Sequence, residues 1–445
     1  MKNNEVKKII EIAIPSIIDD SLIVLIGLID TFMVSKLGSA AITSIGIINQ
    51  PRLFIFSAFT AMQICISILV ARKIGENNKY EGNEIFLIGL IYVIIFSIIL
   101  SLIFIIIAKP FMLFCGANND TINNSIIYFR IIMIGLVFNT VYYYINAVER
   151  GCGNTKLTLR TNIVSCIVNI MFNYLLIEGK YGFPRLEVRG AAIATVLGTI
   201  AASIYAFINL FRKNSFINIG FIISNKILIK KENLLLVIRN WWSIFVDQVL
   251  TRVGFMIQSA IAARMGTLDY AVNYTGMLFL SFAYSFGNGI STAALALVGS
   301  SIGAKDILLA KKYSSASQKI SLCVAFLISI VLILFGGSLF NCFFNDEYSL
   351  NVGKTISLFL AVIIPIAIYK ISLTGIVRSG GDNKYVMWVS IMSNTIGQPI
   401  IAFLLIILLN MGIYGAFIGV FASQFIAMIL ILLRYKSEKW IKINL

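Results

Sequence analysis

Twelve stretches of this chain are apolar for about twenty residues or more, and that fixes the menu of folds open to it. They lie near 9–35, 44–71, 85–108, 124–148, 157–178, 189–211, 234–263, 272–302, 317–343, 353–377, 385–409 and 412–433. Inside a bilayer every backbone N–H and C=O must find its partner within the protein, so runs of this length read as membrane-spanning α-helices. The composition agrees: of 445 residues, 59% are hydrophobic and 13% charged, with a mean hydropathy of +0.91. A soluble chain carries about a quarter charged residues. The fold class expected is therefore an all-α integral membrane protein.

The net charge of +16 would suit nucleic acid, but the positions of the charges argue against such a partner. One alternate set of loops holds the clusters Lys2, Lys7, Lys8; Arg72, Lys73, Lys79; Arg150, Lys156, Arg160; the run from Arg212 to Arg239; Lys305, Lys311, Lys312, Lys319; Arg378, Lys384; and Arg434 to Lys442. The opposite set holds Lys36, Lys109, Arg130, Lys180, Arg185, Arg189, Arg264 and Lys354. The richer set faces the cytoplasm by the positive-inside rule, so both termini are expected there, in a plasma membrane. The start MKNNEVKKII is basic but runs into a full span with no small-residue cleavage pattern. Six scattered cysteines form no CxxC pair, and there is no histidine. No metal-ligand cluster and no nucleophile beside a base is visible, so neither a cofactor nor an enzymatic reaction is expected.

The chain repeats itself. At an offset of 228 residues Gly38 matches Gly266, Leu69-Val70 matches Leu297-Val298, Ile74-Gly75 matches Ile302-Gly303, and Arg150, Gly153 and Lys156 match Arg378, Gly381 and Lys384. Further on the offset becomes 225: Asn169 matches Asn394, Gly190-Ala191 matches Gly415-Ala416, and Asn173 falls opposite Gln398. This reads as a six-helix lobe over 1–211, a basic cytoplasmic linker over 212–233, and a second six-helix lobe over 234–445. Six spans is an even number, so both lobes enter with the same orientation, around a pseudo-twofold axis along the membrane normal. Duplicated lobes of this kind suit a central cleft and alternating access.

Intramembrane charge then marks the functional candidates. The first span carries Asp19, Asp20 and Asp30. A carboxylate at the bilayer centre costs roughly 2.5–3.5 kcal/mol on insertion scales, so each needs a partner or a use. Asp19 and Asp30 share a helix face, eleven residues apart. The repeat carries Asp19 onto Asp247 and Asp30 onto Gln258, so the outer acid exists only in the first half. Two readings of Asp19 stand side by side: a contact for cationic substrate in the cleft, or an ion pair with Arg52 or Arg252. Asp247 and Lys370 are expected to pair. Tyr142 and Asn146, with Asn139 and Tyr143, make a polar stripe on the fourth span that either stacks on flat substrates or packs. Arg150, Gly153 and Lys156 read as topology and turn chemistry, with no ligand assigned.

At IAIPSII and IDTFMVSKLG in the first span, ARKIG, ERGCGNTK, NIMFN, RGAAIAT and VRSGGDNK, the sequence resembles the multidrug and toxic compound extrusion (MATE) transporters. The resemblance runs over nearly the whole length. It implies two six-helix lobes around a central cleft and export of drugs or toxic compounds in exchange for H⁺ or Na⁺. It also implies a cation-coupling site at Asp30, Asn169, Asn173 and Thr195, an acidic position at Asp247, and a first-helix bend at Pro15. DinF-type members carry Asp where this chain has Asn173. NorM-type members carry a tenth-helix acid near Ala367, where Lys370 stands one turn later. For the two Asn and Thr195, interhelical hydrogen bonding alone is the competing reading. The implied protein is a monomeric antiporter of small organic, cationic substrates. A lipid-linked precursor flippase of a related superfamily is the alternative, favoured by Arg52, Arg252 and Lys370.

Overall fold

In the computed structural model every regular element among the described residues is helical; the description covers the whole chain except Met1, Lys36, Gly38, 116–119, 213–214 and 443–445. Gly38, Lys36 and Lys213, used above for repeat and orientation, lie outside the described residues. Twelve long helical segments follow one another. The first six are α1 (Lys2–Ser35), α2 (Ser39–Gly75), α3 (Lys79–Ile106), α4 (in two pieces, Ile122–Ile134 and Leu136–Gly151), α5 (Thr155–Glu178) and α6 (Glu187–Asn209). The second six are α7 (Lys231–Ala262), α8 (Thr267–Gly303), α9 (Ile307–Asn341), α10 (Glu347–Ser379), α11 (Asn383–Leu408) and α12 (Gly412–Lys436). Among the described residues nine are long and apolar enough to cross a membrane on composition alone, and α4 makes ten when its two pieces count as one span. The two others, α1 and α8, have the length to cross, at 34 and 37 residues.

The fourth span bends by 51° at Gly135, where the sequence reads as continuous. A Cβ built on Gly135 would lie 2.5 Å from Val196 Cγ2. The glycine therefore admits α6 against the break, a close approach the apolar pattern does not encode.

The repeat is carried down to hydrogen bonds. α4 and α10 both end in a Schellman turn. Gly153 N–H bonds Arg150 O at 2.9 Å and Asn154 N–H bonds Glu149 O at 2.8 Å; Gly381 N–H bonds Arg378 O at 2.8 Å and Asp382 N–H bonds Val377 O at 3.3 Å. Both glycines are left-handed, with φ of +79° and +85°, the conformation this turn requires at the residue after the cap. The turn places Arg150 and Arg378 at the same point of the last helical turn. α3 and α9 likewise start from matching caps: Asn78 accepts the Glu81 N–H, and Asp306 accepts the Leu309 N–H.

Contacts divide the chain into two compact units, 18–241 and 1–17 with 242–445. The basic linker thus belongs to the first of these. Asn83 accepts the Asn218 N–H at 2.9 Å and Glu84 accepts the Lys230 N–H at 2.7 Å, stitching it to the start of α3. α1 runs unbroken through Pro15, but its first seventeen residues cluster with the second half. Ile9 and Ala13 sit there in one apolar core with Ile290, Leu373, Ile431 and Trp440.

Candidate functional site

Asp30 is half-buried in the second part of α1. Asn173 Nδ2 donates to its Oδ1 at 2.6 Å. Asn169 stands one turn before Asn173 on α5, so both amides share a face. The Asn169 orientation that satisfies both its ends donates to the same Asp30 oxygen at 2.9 Å and accepts the Thr195 backbone N–H at 3.3 Å. The Thr195 hydroxyl lies 3.4 Å from the Asn169 amide. The four residues named from the resemblance therefore form one cluster across α1, α5 and α6. Asn173 is fully buried, and its Oδ1 has no hydrogen-bond partner; a buried acceptor left open is costly. Arg52 acts on Asp30 electrostatically, and Tyr128 stands close to Thr195. Sequence reading missed both contributions, because a basic residue near the start of a span and a lone Tyr carry no spacing signal.

Close packing holds the cluster. Gly198 on α6 lies against α5, where a Cβ would stand 2.8 Å from Ser165 O and 3.1 Å from Asn169 Cβ.

Asp19 is fully buried. It does not pair with Arg52 or Arg252. Arg150 reaches it at 3.1 Å and Asp20 at 3.5 Å, and Asn162 on α5 donates to it. Tyr142, 3% exposed, donates to Asn162 at 2.7 Å. Asn146, on the same α4 face, is also buried. The stripe of α4 thus turns into the first unit and organises an ion cluster, and Arg150, read from sequence as topology chemistry, is a structural partner within it.

The second half makes the equivalent contact. Asp247 pairs with Arg378, not with Lys370. The reason lies in the repeat: Asp247 and Arg378 stand where Asp19 and Arg150 stand, 228 residues on. Lys370 is two helical turns before Arg378 on α10 and acts on Asp247 only at longer range. In place of Asp30 and Asn173 the second half holds Gln258 and Gln398, whose amides hydrogen-bond each other. Ser423 donates to Gln398 at 3.3 Å. Here α11 winds in wider, π-type turns over Ile391–Gly397 and Leu404–Leu408, and Gly254 of α7 runs against Asn394 O, 2.4 Å from an added Cβ.

The chain arrangement is matched elsewhere. The MatE family model covers residues 15–175 and 243–404, one stretch in each half. A probable multidrug resistance protein NorM of Thermotoga maritima is 23% identical over 98% of this chain and 93% of its own length. The uncharacterized transporter YisQ of Bacillus subtilis is 24% identical over 96% and 93%. The structure of a multidrug resistance MATE family transporter of the MOP superfamily in an outward-facing conformation superposes with a TM-score of 0.90 at 18% identity, covering 100% of this chain and 98% of its own. The chain therefore belongs to the MatE family of multi-pass membrane transporters.

Proposed function

We propose that this transporter is a secondary active exporter of small organic compounds, cationic ones among them, driven by H⁺ or Na⁺ entry and coupled at Asp30. It works as a monomer in the plasma membrane with both termini cytoplasmic, by alternating access between its halves. The carrying observation is the Asp30 cluster: one carboxylate, two amides and a hydroxyl on three helices, with the Asn173 acceptor open. Hard oxygen ligands suit a small monovalent cation, and the carboxylate alone serves a proton. Neutralising Asp30 changes what α1 must satisfy inside the bilayer, and a ligand shifts a conformational equilibrium only through such differential affinity. The second half has the same contact without a charge, so coupling is assigned to the first. The drug-resistance and transporter names of the relatives support export over lipid flipping.

The test is to measure substrate binding and gradient-driven vesicle efflux on the same purified Asp30→Asn protein. Binding is expected to persist while efflux is lost; efflux at the wild-type level would overturn the coupling role. Collapsing ΔpH and ΔpNa separately identifies the ion, and gradient-free lipid translocation would favour the flippase.

A further inference from the structure

The two halves build one frame around their first helices and leave opposite charges in it. Asp19 with Arg150 corresponds to Asp247 with Arg378. At the same offset Asp20 becomes Gln248 and Tyr142 becomes Lys370. In the first half one guanidinium serves two carboxylates, and the tyrosine spends its hydroxyl on Asn162. In the second half Arg378 pairs with Asp247, and Lys370 adds a second cation beside that pair. Among the described residues the Lys370 ammonium makes no ion pair and no hydrogen bond, while Asp247 and Arg378, already paired with each other, act on it with opposite signs.

Lys370 is half-buried in α10, nine residues before its end at Ser379. That is about 13 Å along the helix, well inside a membrane core of about 30 Å. An ammonium at that depth does not face lipid; it faces a polar, hydrated space or a ligand. Its three donors are free in the position where the first half buries a satisfied phenol. We infer that Lys370 is an anion-recognition residue of the second half, taking a carboxylate, sulfonate or phosphate-monoester group of an organic substrate. This rests on the exporter reading and extends its substrates from cations to compounds with an anionic group.

The test uses the full-length protein in nanodiscs, with carboxyfluorescein as organic anion, ethidium as organic cation, and phosphatidylglycerol against phosphatidylcholine as lipid. Lys370→Met is expected to weaken carboxyfluorescein about ten-fold or more, the loss of one hydrogen bond to a charged group, with ethidium changed less than about two-fold. Lys370→Arg should keep most of the anion affinity. Lys370→Tyr, which copies the first half, should fold and lose it. Selective loss of phosphatidylglycerol binding in the Met variant supports the same anion chemistry presented by a lipid headgroup. Equal affinity of wild type and Lys370→Met for both anions, or no saturable anion binding to wild type, overturns the assignment. Ethidium efflux by Lys370→Met should survive under a cation gradient, so loss of the anion arm leaves the exporter reading standing.

Discussion

Asp30 with Asn173 and Gln258 with Gln398 are the same contact made twice, once with a charge and once without. The inner ion pairs differ the other way: both are charged, but the first has a surplus acid in Asp20 and the second a surplus base in Lys370. Duplication preserved the geometry of the frame, down to the left-handed Gly153 and Gly381, while the charge on each frame diverged. Shape is thus the shared property of the halves, and residual charge is what separates them.

The largest expected effect tests the inner pairs. Arg150→Met leaves the buried Asp19 and the half-buried Asp20 without their cation, and breaking a buried pair from one side costs about 3–5 kcal/mol. Arg378→Met should cost less, because Lys370 remains near to compensate Asp247. Thermal unfolding in detergent would compare them directly; equal losses would show that Lys370 does not offset the charge.

A smaller effect tests the outer contacts. Gln258→Glu installs in the second half the charge that the first half carries, at roughly 2.5–3.5 kcal/mol for an intramembrane carboxylate without a counter-ion. Folded yield should fall, and the gradient dependence of efflux should stay that of wild type. Wild-type yield with a changed ion dependence would instead mean that the second frame is ready to couple and lacks only the acid.

The smallest effect tests the shared geometry. Gly153→Ala and Gly381→Ala each force a Cβ into a left-handed position, at about 1–2 kcal/mol. The two melting shifts should agree closely; a clear difference would show that the turns are equivalent in form but not in load.

Much of this was legible in the sequence. Apolar length gives the spans, and the offset of 228 gives the duplication. The resemblance gives Asp30, Asn169, Asn173 and Thr195, which do meet. The Asp247 partner was misread, although both halves of the answer were visible. Asp19 maps onto Asp247 and Arg150 onto Arg378, yet a basic residue at the end of a span reads first as a topology signal. The bend at Gly135 was invisible because both flanks are apolar and a glycine in a membrane helix is unremarked. The wide turns of α11, the first of which lies against Gly254, carry no signal in the local sequence.

The membership of Ile9 and Ala13 in the core of the second half also sets a schedule. Their partner Ile290 is made about 280 residues later, and at roughly 5–20 residues per second the ribosome needs about 15–55 s to reach it. Through that interval the start of α1 waits in the membrane with part of its final packing surface not yet synthesised, and Trp440, made about 430 residues after Ile9, closes the same core. The packing of α1 is thus completed only after α12 has been made, and a chain that stalls before Trp440 leaves Ile9 and Ala13 without part of their core.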